Sequence, residues 1–375
     1  MDFASYRNQF PVLEKAAYLV SHSLGAMPLD AKEELELYTN EWATRGVGAW
    51  TEGWWDTPLS VGDELAPIVG APPGSIAMVP NVTVAESIAA SCFTLLGDAN
   101  RVVCTDLSFP SVRRIWERVP GAKVTTVRSW DGTTIPTETF VATIGERTAL
   151  VIIGHVLFPS SYMQDAKAII ERAHDVGAMV VLDVYQSAGV IPIDLVALGA
   201  DFAVGGSAKW LCGGLGAGWL YVRKELQPSL EPRLAAWPGD RSPFDIHTQD
   251  AASQDGMWRF VSGTPNVPAL YTARAGYRII REARVAAIRD NSLRMTGRLI
   301  EIGDRLGIPL MANRDPNRRG GTVTFAVEDA QRVAARLAER QVIVEAVPEV
   351  GISVGPHFYN NDEDIDRFEA ALRHV

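Results

Sequence analysis

The stretch VVLDVYQSAGVIPIDLVALGADFAVGGSAKWLCGGLGAG, residues 180–218, decides the fold of this 375-residue chain. It contains two short runs of apolar and small residues, one that ends in Asp183 and one at residues 201–205. Runs of this kind, flanked by Gly, Asp or Pro, are typical of strands that are buried in a parallel sheet. Because the carboxyl ends of neighbouring strands meet at one edge of such a sheet, we expect Asp183 and Lys209 in the same crevice.

The alternation of strands and helices continues on both sides of this stretch. Short β-branched runs predict strands at residues 101–105, 123–127, 149–154, 178–183, 201–205 and 218–222. Helical patterns lie between them at residues 84–96, 111–118, 137–144 and 166–176. Alternation of this kind predicts an α/β fold with a mostly parallel sheet sandwiched by helices.

The pattern changes after Pro268, where a long helical stretch begins. Strands are predicted beyond it at residues 321–327, 342–345 and 352–354, and helices at residues 330–340 and 362–373. We therefore predict a large domain at residues 15–265 and a smaller C-terminal α+β domain at residues 266–375, with residues 1–14 packed against the smaller one. Arginines recur along the long helix at positions 274, 278, 281, 284, 289, 294 and 298. They could form an anion-binding stripe or a solvated face paired with acids.

Composition and charge exclude several classes of function. The net charge of −10 argues against a nucleic-acid binder, which would need a basic face. The apolar runs are far shorter than the roughly 18 residues of a membrane helix, and the start of the chain shows no signal or transit pattern. Three scattered cysteines do not form a disulfide framework or a zinc site. We expect a cytoplasmic globular protein without a metal.

The pair of Asp183 and Lys209 predicts covalent carbonyl chemistry. A lysine in a crevice is partly desolvated, which lowers the pKa of its amine and makes it nucleophilic. A Schiff-base lysine needs this property, and the aldehyde that it implies is pyridoxal 5'-phosphate (PLP). Asp183 would then lie near the ring nitrogen of PLP. The structural alternative is that Asp183 caps a loop and that Lys209 lies in solvent.

Other residues are suited to the phosphate and the ring of this cofactor. A phosphate needs backbone N–H groups at a helix N-terminus and hydroxyl groups, and the segment VPNVTVAES, residues 79–87, offers both through Thr83. Ser207 can supply another hydroxyl, and Phe109 a flat partner for the ring. Each of these residues alone is more often a helix cap or a core residue.

The chain resembles the class V aminotransferase family of fold-type I PLP enzymes and, within it, the kynureninases. The likeness covers most of the chain. The segments that carry it are AYLVSHSLGAMP (17–28), WATRGVGAWTEGWWDTPL (42–59), NVT (81–83), SFPS (108–111), DVYQSAG (183–189), SAKWLCGGLGAG (207–218) and GPHFYNNDEDIDRF (355–368).

The resemblance implies a role for each residue around the cofactor ring. Lys209 would form the Schiff base and move protons, and Asp183 would hold the proton of the ring nitrogen. Gln186 would bond the ring hydroxyl, and Phe109 would stack on the ring.

The resemblance also implies how the phosphate is bound. Val82, Thr83 and Ser207 would bind it within one chain. Thr264, in VSGTPNVPAL, and Trp237, in AAWPGD, match positions that the family supplies from the neighbouring subunit. A homodimer with shared active sites is therefore implied.

Two positions depart from the kynureninase pattern. Ala208 lies where kynureninases usually have tyrosine before the lysine, and Ser353 lies where they have the arginine that binds the substrate α-carboxylate. A serine cannot make the bidentate pair that arginine makes, and the loss of such a pair costs on the order of 2–5 kcal/mol. We expect a substrate that lacks an α-carboxylate or carries its anion elsewhere. Ser23, Arg45 and Trp54 are further candidates for contact with it, Arg45 for a relocated anion.

Three functions remain open from the sequence. One is amino-group transfer from a small amine or an atypical amino acid, which the two departures favour. Another is kynureninase-like cleavage of a Cα–Cβ or Cβ–heteroatom bond. The third is a binding or assembly module that has kept the PLP fold without catalysis, against which the intact Asp183 and Lys209 pair argues.

Overall fold

The computed structural model describes residues 3–234, 236–245 and 252–374. The α-helices are α1 Ala4–Arg7, α2 Val12–Lys15, α3 Asp30–Arg45, α4 Thr57–Leu65, α5 Val82–Ser91, α6 Pro110–Trp116, α7 Thr137–Thr143, α8 Ala166–Asp175, α9 Leu195–Leu198, α10 Val267–Ala283, α11 Val285–Leu306, α12 Ala330–Glu339 and α13 Asp362–Leu372. The strands are β1 Ala17–Tyr18, β2 Ile76–Val79, β3 Arg101–Thr105, β4 Lys123–Val127, β5 Thr148–Gly154, β6 Met179–Asp183, β7 Phe202–Gly206, β8 Gly218–Val222, β9 Leu310–Met311, β10 Val323–Phe325, β11 Val342–Ile343, β12 Glu345–Val347 and β13 Gly351–Val354.

The large sheet has the strand order β2-β8-β7-β6-β5-β3-β4. Strands β3 to β7 run parallel to one another, which confirms the predicted fold class. Two features differ from the prediction: β8 is antiparallel to both of its neighbours, and β2 was not predicted. A parallel crossover needs a dozen or more residues and usually a helix. Residues 207–217 contain no helix, so the chain returns beside β7 in the opposite direction.

The core follows from the alternation of side chains along these strands. Val151 and Ile153 of β5 are buried on one face of the sheet, with helix α8. Leu150 and Ile152 are buried on the other face, with helices α5 and α6. Because both faces are covered, the sheet side chains are apolar on either side and the polar residues lie at the strand ends.

The C-terminal part builds a second, smaller sheet with the order β12-β13-β10-β9, all antiparallel. Helices α11, α12 and α13 pack on it around Phe325 and Phe368. The N-terminal segment joins this part, since Arg7 pairs with Asp364 at 2.7 Å and β1 pairs with β11. In the described part of the chain, no helix is long and apolar enough to cross a membrane.

The arginines of α10 and α11 are mostly paired with acids. Arg278 contacts Asp30 and Glu34 of α3, and Arg298 contacts Asp362 and Asp366 of α13. These pairs fit the prediction of a charged face bonded to acids rather than an anion-binding stripe. They also join α10 to α3 and α11 to α13.

Candidate active site

Lys209 lies in the tight connection between β7 and β8, and two glycines hold this loop in place. The N–H of Gly25 donates to the carbonyl of Ala208 at 2.7 Å. A Cβ atom on Gly25 would lie 2.1 Å from the carbonyl oxygen of Lys209, and one on Gly276 would lie 2.2 Å from that of Leu211. Only residues without a side chain allow this approach, so the loop that carries Lys209 is closely packed at Lys209 and again at Leu211.

The Lys209 side chain enters a cavity of about 260 Å³ at the carboxyl ends of the parallel strands. Its Nζ lies 4.6 Å from the ring centroid of Tyr185 and 5.7 Å from that of Phe158. Burial lowers the pKa of the amine, although the Asp183 carboxylate opposes this change. The prediction of a desolvated lysine in a crevice thus fits the geometry, and the solvent-exposed alternative does not.

Asp183 lines the same cavity at the end of β6. Its Oδ1 accepts a hydrogen bond from the N–H of Tyr185 at 2.8 Å. Burial raises the pKa of the carboxyl, while this hydrogen bond and the nearby Lys209 lower it. A buried carboxyl with this surrounding is suited to hold a proton on a nitrogen atom that faces it.

The start of helix α5 forms the opposite wall of the cavity. Asn81 caps the helix, and its side chain accepts from the N–H of Val84 at 3.0 Å. Val82 and Thr83 line the cavity in the first turn, where helix N–H groups point toward an anion. Ser108 lies beside them, and its buried Oγ has no hydrogen-bond partner in the protein. A phosphate would supply the acceptor that this hydroxyl lacks.

Gln186 and Phe109 complete the predicted surroundings of the ring. Both line the cavity. The Gln186 Oε1 accepts from the indole of Trp210 at 3.4 Å, and the half-exposed Phe109 ring meets Phe158 edge-on at 5.7 Å. The structure therefore brings Val82, Thr83, Phe109, Asp183, Gln186 and Lys209 together, and this set fits PLP.

Ser207 is not brought to this cavity. Its hydroxyl is buried, donates to the carbonyl of Ala217 at 2.7 Å and lies 2.5 Å from the Tyr277 hydroxyl. The bond to Ala217 joins the two ends of the loop that carries Lys209, and the contact with Tyr277 joins this loop to α10. The predicted phosphate contact of Ser207 is therefore not supported.

The two residues expected from a neighbouring subunit also lie outside the cavity. Thr264 lines a separate pocket together with residues 78–80, which lead into α5. Trp237 is 45% exposed and packs against Trp55, with 5.0 Å between ring centroids. Within a single chain neither residue contacts the cofactor site.

The candidate substrate residues fall into two groups. Ser353 lines a small second cavity beside the first one, and the Ser23 hydroxyl donates to Glu345 of that cavity at 2.9 Å. Arg45 is exposed and pairs with Glu52. Trp54 is buried in helix packing and donates to Glu41 at 2.9 Å. Arg45 and Trp54 line neither cavity, because Arg45 is exposed and Trp54 packs against Tyr38 of α3 and Tyr271 of α10.

Glu86 is a residue of the site that the sequence reasoning missed. It lines the Lys209 cavity from α5 and is 1% exposed. Its Oε2 accepts from the indole of Trp116 at 2.8 Å, while its Oε1 has no partner in the protein. Burial and the Asp183 carboxyl raise the pKa of Glu86 to about 8. The signal in the sequence was its position three residues after Thr83, on the same helix face.

The fold and this cavity are typical of PLP-dependent enzymes, and the match to a family model confirms this class. The chain belongs to the class V aminotransferase family, described as "Aminotransferase class-V", whose model matches residues 59–368. This membership confirms the family, the fold and the cofactor predicted from the sequence.

The most similar relatives include an aminotransferase and kynureninases. The "uncharacterized aminotransferase YcbU" of Bacillus subtilis (strain 168) is 33% identical over 360 residues, which cover 96% of this chain and 94% of that protein. A kynureninase of Geobacillus thermodenitrificans (strain NG80-2) is 29% identical over 357 residues, with 90% and 83% covered.

Solved structures with the same fold include a cysteine desulfurase and a cystine C–S lyase. A cysteine desulfurase from Thermococcus onnurineus NA1 has a TM-score of 0.86 at 22% identity, with 98% of this chain and 96% of that chain covered. The cystine C–S lyase C-DES has a TM-score of 0.88 at 19% identity, with 98% and 100% covered. At this identity the likeness extends to the fold alone.

Proposed function

We propose that the protein is a PLP-dependent enzyme that transfers the amino group of a small amine or an atypical amino acid. The observation that carries this proposal is the partly buried Lys209 amine in one cavity with Asp183 and the start of α5. Bound PLP supplies an electron sink for the bonds at the amino-bearing carbon of the substrate. Family membership and the relative named as an aminotransferase support the reaction class.

The residues of the cavity have separate tasks in this proposal. Lys209 holds the cofactor and then moves a proton at its Nζ, for which its lowered pKa prepares it. Asp183 holds the proton of the ring nitrogen, and Gln186 bonds the ring hydroxyl. The N–H groups of Val82 and Thr83 bind the phosphate, with the free Ser108 hydroxyl as a third donor.

The active unit in this proposal is a homodimer in the cytoplasm. Thr264 and Trp237 are exposed, and Thr264 shares a pocket with the residues that precede α5. In this proposal both residues would reach the cavity of a second copy. The three cysteines are free, as is usual in reducing compartments, which supports the location.

Cleavage of a Cα–Cβ or Cβ–heteroatom bond is the second candidate. The identity to kynureninases over most of both chains favours it. The Ser353 cavity argues against it. None of its lining residues, all of which are described, is an arginine or a lysine that could bind the α-carboxylate of a kynureninase substrate.

Borohydride trapping and amine titration test the proposal. The purified protein is expected to absorb in the visible range, and borohydride should fix PLP on the peptide that contains Lys209. Addition of a productive primary amine should convert the cofactor to its amine form. Label on Lys167 or Lys224 instead of Lys209 would contradict the proposal, and efficient turnover of L-kynurenine would favour the cleavage reaction.

A further inference from the structure

A small polar cavity adjoins the Lys209 cavity on the side of the C-terminal sheet. The two share Val156, Leu157, Phe158 and Gln186. The second cavity has a volume of about 10 Å³, which is space for about one water-sized group. A substrate bound at Lys209 would therefore reach it with one small substituent.

Strand register brings the polar side chains of this cavity together. Ser353 of β13 lies opposite Thr324 of β10 on one side and opposite Glu345 of β12 on the other. Side chains of directly opposed residues project from the same face of a sheet. The Ser353 and Thr324 hydroxyls are accordingly 2.6 Å apart, and all three residues line the cavity.

Glu345 gives the cavity a negative charge. Its Oε1 accepts from the Ser23 hydroxyl at 2.9 Å, and its Oε2 lies 2.9 Å from Nε2 of His22. The close contact with His22 is the main cause that lowers the pKa of Glu345, which favours the carboxylate form. A carboxylate has about four lone-pair sites, of which these contacts use two. Glu345 can accept further hydrogen bonds from a ligand.

We propose that this cavity selects substrates with a hydroxyl or an ammonium group in the place where amino acids carry the α-carboxylate. A substrate carboxylate there would face the Glu345 carboxylate, and no arginine or lysine lines the cavity to compensate this burial of like charges. It would also need more room than one water-sized group. A hydroxyl or ammonium fits the space and donates to Glu345. The inference rests on the proposed function and names its substrate class as amino alcohols and diamines.

A series of matched amines tests this inference on the PLP-loaded enzyme. Isopropylamine, alanine, alaninol and 1,2-diaminopropane share the amino-bearing carbon and a methyl group, and they differ in one substituent. Dissociation constants are measured by calorimetry and by the absorbance of the cofactor. Because a hydrogen bond to a charged group contributes about 1.5–3 kcal/mol, alaninol and the diamine are expected to bind at least ~10-fold tighter than alanine.

Two variants assign the preference to the cavity. Glu345→Gln is expected to reduce the advantage of the diamine over alanine by ~10-fold or more. Ser353→Ala, which removes one hydroxyl without adding bulk, should weaken the binding of alaninol more than that of isopropylamine. Glu349→Gln is the matched control. This exposed acid lies in the turn between β12, which carries Glu345, and β13, which carries Ser353, and it does not line the cavity.

The outcomes separate this inference from the function on which it rests. If isopropylamine reacts but alanine binds as tightly as alaninol, or Glu345→Gln keeps the ranking, only the cavity inference is overturned. If no amine alters the cofactor and borohydride leaves Lys209 unlabelled, the proposed function and the inference both fall.

Discussion

Replacing Glu86 by glutamine should change how the stability of the protein depends on pH. Burial and the neighbouring Asp183 raise the pKa of the Glu86 carboxyl from 4.5 to about 8 in the folded protein. Between these values the carboxyl is ionised when the chain is unfolded and protonated when it is folded. The folded state then binds more protons, so the free energy of unfolding falls as pH rises, by about 1.4 kcal/mol per pH unit.

The size of the effect follows from this interval. Over the range from 4.5 to about 8, the loss sums to about 5 kcal/mol as an upper value. Glutamine cannot ionise, and its carbonyl can still accept from Trp116, so the variant should lack this loss. For a chain of 375 residues, unfolding entropies predict a change of about 6 °C in Tm for about 5 kcal/mol. The change in Tm is smaller where water enters the cavity, because hydration of the carboxylate lowers the pKa of Glu86.

Thermal unfolding of the PLP-loaded proteins at about pH 5 and about pH 8 measures the difference. Wild type should lose several degrees more than Glu86→Gln between these conditions. Glu171→Gln, which changes an exposed glutamate of α8 that lines neither cavity, is the control and should follow wild type. Equal changes in Tm for wild type and Glu86→Gln would refute the assignment of a protonated carboxyl to this site.

Three further predictions concern the cofactor, the assembly and the substrate end. Asp183→Asn should retain PLP, since the phosphate contacts are intact, but should lower kcat by ~100-fold or more, because an amide cannot hold the ring proton; a near-normal rate would show a purely structural role. Thr264→Ala should weaken PLP binding in the dimer, and a fully active monomer in sedimentation experiments would contradict shared sites. Ser353→Arg alone should improve alanine binding little, because the new guanidinium would pair with Glu345. The double variant Ser353→Arg with Glu345→Gln should bind alanine better than either single variant does. If the double variant shows no gain, the pairing of the guanidinium with Glu345 is contradicted.

The sequence was sufficient for the parallel strands but not for the edge of the sheet. Strands β5, β6 and β7 are continuous apolar runs, and such runs are distinctive when both faces are covered. Strand β2 has only four residues, Ile76–Val79, between segments rich in Pro and Gly, and among the described strands it pairs only with β8. The direction of β8 could have been predicted, because the connection at residues 207–217 is too short for a helical crossover.

The structure brings the predicted residues together where a residue's position along an element fixes its direction. Lys209 and Asp183 follow strand ends, and Thr83 lies in the first turn of a helix, so the fold itself brings them into one cavity. The direction of the Ser207 hydroxyl depends instead on Tyr277, a residue 70 positions away. Trp54 likewise depends on Glu41 and α10. Contacts of this kind follow from packing and cannot be obtained from local sequence patterns.

The cavity around Ser353 also depends on contacts that local sequence patterns do not predict. Ser353 alone indicates that a carboxylate partner has been lost, and this loss would leave a neutral cavity open to many groups. The register of β12 against β13 adds Glu345 opposite Ser353, and the N-terminal segment adds His22 and Ser23. A charge of the opposite sign to arginine thus lies at this position. In the proposed function, the Glu345 carboxylate would turn a site that merely lacks a carboxylate partner into one that disfavours carboxylates, because like charges repel most strongly where water is excluded.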